Sequence, residues 1–159
     1  MDEFFPLPLA ERYFEDYPVG LVAHYGPAHV TADDIVRFAT AFDPHAMHVD
    51  ADAAADGPFG GLIASGWHTT AIMMRLMVDN FLNERTSLGS PGVDTLRFLL
   101  PVRPGDELTA RFEVASARAS KSRGDRGILH TNIELRNQAG ELVMTQTMIN
   151  LVKRRTPAA

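Results

Sequence analysis

From Leu62 to Leu82 the chain reads LIASGWHTTAIMMRLMVDNFL, with no proline and a single glycine, Gly66, near its start. Trp67, Ala71, Met74, Val78 and Phe81 recur at three- and four-residue steps, the helical period, while Ile72, Met73, Leu76 and Met77 make the other sides apolar too. A helix apolar nearly all round belongs inside a fold. At ~1.5 Å per residue it would be about 30 Å long, enough to cross a small domain, so the rest of the chain is expected to wrap around it.

Downstream the period changes to two. Leu96, Phe98 and Leu100, then Leu108, Ala110, Phe112 and Val114, alternate with mostly polar neighbours. So do Leu129, Thr131, Ile133 and Leu135 against His130, Asn132, Glu134 and Arg136, as half-buried strands require. Leu142 to Val152 is a last strand with weaker alternation, and Pro104-Gly105 and Gln138-Ala139-Gly140 supply turns. Upstream, Val19 to Tyr25 is a short β-like run. Thr31 can cap a helix from Ala32 to about Phe42, whose stripe is Ile35, Phe38, Ala39 and Phe42. The expected class is α+β, with an antiparallel meander wrapped round one long helix. With 159 residues the chain suits one domain, placed at residues 1–153, with 154–159 as a frayed tail.

The chemistry concentrates in DPHAMHVD, residues 43 to 50, where the first helix stops: Pro44 disfavours helical backbone at Asp43. An aspartate and a histidine on irregular backbone can converge on one water. Imidazole, with an ordinary pKa of about 6.5, suits proton traffic at neutral pH. The alternatives are plain ones. Asp43 can simply end the helix, His48 can be a bonded core histidine, Asp50 can cap a short helix to Ala55, and Ser65 can cap the long helix rather than act as a nucleophile. A metal site from Asp43, His45, His48 and Asp50 is disfavoured because Pro44 spoils regular helical presentation, so no metal and no redox cofactor are expected.

Several function classes are set aside. The 15 Lys and Arg against 20 Asp and Glu leave a net charge of −5, which argues against a general nucleic-acid footprint. No apolar run approaches the ~20 residues of a membrane span, and the acidic, proline-broken start lacks the pattern of a signal peptide, so a cytoplasmic location is expected. With no cysteine, thiol catalysis and disulfides are excluded.

DPHAMHVD, then FGGLIASGW, the long helix and LRFLLPVRPGDEL together resemble the MaoC-like acyl dehydratases, the R-specific enoyl-CoA hydratases of the hotdog fold, from about Val19 to Val152. Asp43 and His48 fall on that family's catalytic aspartate and histidine, and Gly66 on its glycine at the mouth of the central helix. The family's usual Asn-Pro is His45-Ala46 here, and the histidine that often precedes the glycine is Ser65.

The resemblance implies (R)-specific hydration of a trans-2-enoyl-CoA, or the reverse dehydration. Asp43 and His48 would activate water, and the Gly66 N–H would stabilise the enolate oxygen. It implies further that the protein is a homodimer or higher homo-oligomer joined edge to edge. His45, Phe59, Ser65 and Trp67 are the residues expected to contact substrate, although Trp67 and Met73, Met74 and Met77 also suit a core or an acyl tunnel. In ARASKSRGDRG, Lys121 and Arg123 can meet the phosphates of coenzyme A, or can belong to a solvated hairpin loop. A hotdog thioesterase and a non-catalytic acyl-CoA-binding or partner subunit are the competing functions.

Overall fold

The computed structural model describes residues 5–156. Two 3-10 turns, Leu9–Glu11 and Phe14–Asp16, precede β1 (Val22–His29), α1 (Ala32–Phe42), α2 (Ala46–Val49), α3 (Ala51–Ala55) and α4 (Gly66–Asn80). After these come β2 (Gly92–Phe98), β3 (Glu107–Ala119), β4 (Arg126–Arg136) and β5 (Leu142–Lys153). The strands form one antiparallel sheet in the order β1-β3-β4-β5-β2. Its inner face carries Leu108, Ala110, Phe112 and Val114 of β3 and Leu129, Thr131, Ile133 and Leu135 of β4, all buried as their alternation requires.

Several local expectations need correction. The meander covers only β3, β4 and β5. The chain carries β2 across to the far edge beside β5, pairing Gly92 with Ile149 and Phe98 with Met144. At that edge β2 has little over it: Val93 and Phe98 are about half exposed, so it is not the half-buried strand its alternation suggested.

β1 starts at Val22 and continues through Gly26-Pro27 to His29. An edge strand tolerates proline where its register slips, here between Tyr25 and Ala28. Gly26 is needed at that slip, because its φ is +134° and a Cβ would lie 2.7 Å from the Leu108 carbonyl. The run Lys153-Arg154-Arg155 is tied down rather than frayed. Arg154 N–H donates to the Asp125 carbonyl at 2.9 Å, and the Arg155 guanidinium donates to Asp16 at 2.6 Å. The tail from Pro157 onward lies outside the described residues.

α4 is also shorter than expected. It begins at Gly66, so its 15 residues span about 22 Å. Leu62 to Ser65 are extended instead, with Ile63 N–H donating to the Met47 carbonyl at 3.1 Å and Ala64 N–H to the Val102 carbonyl at 2.8 Å. Buried extended chain and buried helix have the same apolar composition, so sequence alone does not separate them. Nor is α4 enclosed all round: Met73, Leu76 and Met77 face the sheet, whereas Trp67 is 62% exposed and Val78 47%. Tyr17 and Phe81 pack edge to face at 5.3 Å, and the Tyr17 hydroxyl donates to the Phe81 carbonyl at 2.6 Å, which ties the N-terminal segment to the end of α4.

α1 is fixed to α4 by His68, whose ring stacks on Phe38 with centroids 4.9 Å apart. Burial lowers the pKa of His68, the nearby Asp34 carboxylate only partly opposes this, and its Nδ1 has no hydrogen-bond partner. The folded chain therefore holds this imidazole neutral at a pH where the unfolded chain protonates it. Stability is expected to fall as pH drops below about 6.5, the ordinary imidazole value. The urea midpoint of His68→Leu should fall less steeply from about pH 7 to 5.5 than that of the parent. Equal slopes would show that His68 does not carry the effect.

Candidate active site

The capping signals at residues 31 and 50 fold as the sequence indicates. Thr31 Oγ1 accepts from Asp34 N–H at 3.1 Å, and Asp50 Oδ1 accepts from the N–H groups of Asp52 and Ala53. Between these caps the segment is not wholly irregular, since Ala46–Val49 makes the single turn α2. That turn buries His48 and aims its ring at the start of α4. His48 Nδ1 lies 2.7 Å from the Ile63 carbonyl oxygen, which can only accept, so Nδ1 carries the proton. In the neutral imidazole Nε2 is therefore the free base, and it lies 3.4 Å from Asp43 Oδ2.

Asp43 ends α1 in a non-helical conformation (φ −153°, ψ 68°) and is half-buried. Ser65 Oγ donates to its Oδ2 at 2.7 Å, and His45 Nδ1 contacts its Oδ1. The Ser65 hydrogen bond, followed by that of His45, holds the Asp43 carboxyl below the usual carboxylate range. Asp43 is thus a carboxylate at neutral pH and cannot be the resting-state acid. A water lying against both its Oδ2 and His48 Nε2, to one side of the 3.4 Å line that joins them, would donate one proton to each.

A cavity of about 340 Å³ opens at His48, lined by Met47, His48, Phe59, Gly66, Thr69 and Phe98 among others, and Asp43 stands behind His48 rather than in its wall. Gly66 is the first residue of α4, and its N–H has no hydrogen-bond partner among the described residues. It is a free donor at the positive end of the helix. The glycine does not leave open space above its Cα, as close approach of a thioester would suggest: a Cβ there would lie 2.5 Å from the Phe98 ring. Phe98 is a site residue that sequence reasoning missed. The signal was its place in the alternating run Leu96-Phe98-Leu100.

The other expected contacts divide. Phe59 lines the cavity, and Ser65 is buried behind it on Asp43. His45 reaches Asp43 but lines a neighbouring cavity instead. Trp67 points outward, edge to face with Phe98 at 6.4 Å. Lys121 and Arg123 are not brought to the site within one chain. Their loop joins the end of β3 to the start of β4, where Gly127 pairs with Val152, whereas the cavity meets β5 at Val143. Those β5 positions are nine residues apart, about 30 Å along a strand. A larger cavity of about 670 Å³, near Met74, Met77 and Met148, lies toward the far end of α4 and contains none of the Asp43, His48 and Gly66 groups. Among the described residues no group of three or more His, Asp or Glu is placed to hold a metal ion, and no helix is long and apolar enough to cross a membrane.

A MaoC-like domain model matches residues 20–134. The chain belongs to the MaoC-like domain family. It is similar to the uncharacterised protein YdeM of Bacillus subtilis, 34% identical over 140 residues that cover 88% of this chain and 98% of YdeM. Its fold matches the crystal structure of the MaoC-like dehydratase of Rhodospirillum rubrum with a TM-score of 0.84 at 40% identity, over 91% of this chain and 99% of that one. The R-hydratase PhaJ1 of Pseudomonas aeruginosa matches with a TM-score of 0.70 at 27% identity, over 92% and 91% of the two chains. The α+β class and the hotdog architecture of this MaoC-like chain follow from these matches and from the sheet described above.

Proposed function

We propose that this MaoC-like chain adds water reversibly to a trans-2-enoyl-CoA, giving the (R)-3-hydroxyacyl-CoA. The observation that carries the reading is the 3.4 Å approach of Asp43 Oδ2 to His48 Nε2, beside a cavity lined by His48 and by Gly66, whose N–H is unbonded among the described residues. Water held by the carboxylate and the imidazole attacks C3, and His48 Nε2 takes one of its protons. The C2–C3 π electrons move toward the thioester, the Gly66 amide stabilises the charge on its oxygen, and His48 returns the proton to C2. No metal or redox cofactor enters the scheme, and a cytoplasmic location goes with it. The name of the Pseudomonas R-hydratase supports the (R) configuration.

The test is to supply crotonyl-CoA and longer enoyl-CoAs, follow loss of the conjugated absorbance and analyse the product's chirality. Formation of (R)-3-hydroxyacyl-CoA is expected. Release of free thiol without hydration would instead support a thioesterase, and tight binding without turnover a non-catalytic subunit.

The same reading includes a homodimer. β2 is an open sheet edge with Val93 and Phe98 exposed, and α4 presents Trp67 and Val78 beyond it, an arrangement that invites a second sheet edge. Light scattering should give twice the chain mass. A stable monomer would contradict the dimer.

A further inference from the structure

Beside the cavity at His48 lies a second one of about 250 Å³, walled by Ala46, Ala53, Ala54 and Pro58, on the other side of the α2 turn. Only two described residues line both cavities, Met47 and Phe59. We propose that Phe59, with Met47, is the partition that limits how long an acyl chain the site accepts, and that the second cavity is the space a longer chain would enter. This rests on the enoyl-CoA reading above.

The local structure allows such a partition to move by a side-chain turn alone. Phe59 sits in the loop Gly57-Pro58-Phe59-Gly60-Gly61, where Gly60 has a φ of +64° and Gly61 of +153°. The loop backbone is nevertheless held. Arg103 Nη2 donates to the Phe59 carbonyl at 2.7 Å, and Gly60 N–H donates to the Gly57 carbonyl at 3.1 Å. The ring itself is 40% exposed, so no close packing locks it in place. Methionine at 47 is a flexible, apolar neighbour that can reshape the same wall. The walls beyond are mostly alanine and proline, which suit the tail of an acyl chain, and the imidazole of His45, already held on Asp43, is the polar side chain among them.

The test compares kcat/KM for crotonyl-CoA and trans-2-octenoyl-CoA in the parent and in Phe59→Ala. Each methylene newly buried is worth about fourfold in binding, so the octenoyl-to-crotonyl ratio should rise at least about tenfold in Phe59→Ala. Adding Ala53→Phe to Phe59→Ala refills the second cavity and should return the ratio toward the parent's. A ratio unchanged in Phe59→Ala, or a rise that survives Ala53→Phe, would overturn the partition. Equal loss on both substrates with a lowered melting temperature would also overturn it, by showing that Phe59 only supports the loop. A parent inactive on every enoyl-CoA would instead refute the hydratase reading itself.

Discussion

His48→Gln is expected to lower kcat for crotonyl-CoA hydration by about 10²–10⁴-fold, the usual worth of a positioned acid-base group, and Asp43→Asn should lose activity on the same scale. The two losses should not multiply, because both side chains hold one water across 3.4 Å. Glutamine can still donate to the Ile63 carbonyl in place of Nδ1–H, and asparagine can still accept from Ser65, so each change removes the proton chemistry while leaving a polar partner in place. Unfolding temperatures should therefore move little. Full activity in both variants would remove the pair from catalysis. A large loss accompanied by unfolding would say only that the DPHAMHVD segment is structural.

The second large effect concerns the amide at the start of α4. Gly66→Pro deletes the N–H yet keeps the helix, since proline is well accepted at the first helical position and Ser65 already has the extended conformation (ψ 141°) that a following proline requires. Its ring also brings a Cβ into the Phe98 ring, and Gly66→Ala brings the same Cβ while retaining the N–H. The comparison between the two isolates the donor. Turnover in Gly66→Pro should fall about 10²–10³-fold below that of Gly66→Ala. Equal turnover in the two variants would show that the amide does not stabilise charge on the thioester oxygen.

Much of the fold was legible because local chemistry and long-range packing agree. Thr31 and Asp50 cap the helices that follow them, and the alternations of β3 and β4 sort buried from exposed faces correctly. What was hidden depended on which element lies beside which. Nothing in Leu62-Ile63-Ala64 distinguishes a buried extended segment from a helical turn until Met47 and Val102 are there to accept its N–H groups. The alternation of β2 indicates a strand but not its place at the far edge beside β5.

In the site, the spacing of Asp43, His48 and Gly66 was readable, and so was a capping role for Ser65. Its Oγ accepts only weakly from Trp67 N–H at 3.3 Å, and the stronger bond to Asp43 was not foreseeable from position alone. The cluster of Lys121 and Arg123 looked like a phosphate site by charge. The strand register, which no composition reveals, puts it at the opposite end of β5.

If one imidazole both takes and returns the proton, water adds to a single face of the double bond. The most direct measurement is hydration of crotonyl-CoA in deuterated water, with the product's configuration read by NMR. The predicted product is (R)-3-hydroxybutyryl-CoA bearing one deuterium at C2 on the same face as the new hydroxyl. Deuterium on the opposite face, an (S) product, or thiol release with no hydroxyacyl product would contradict the proton path through His48.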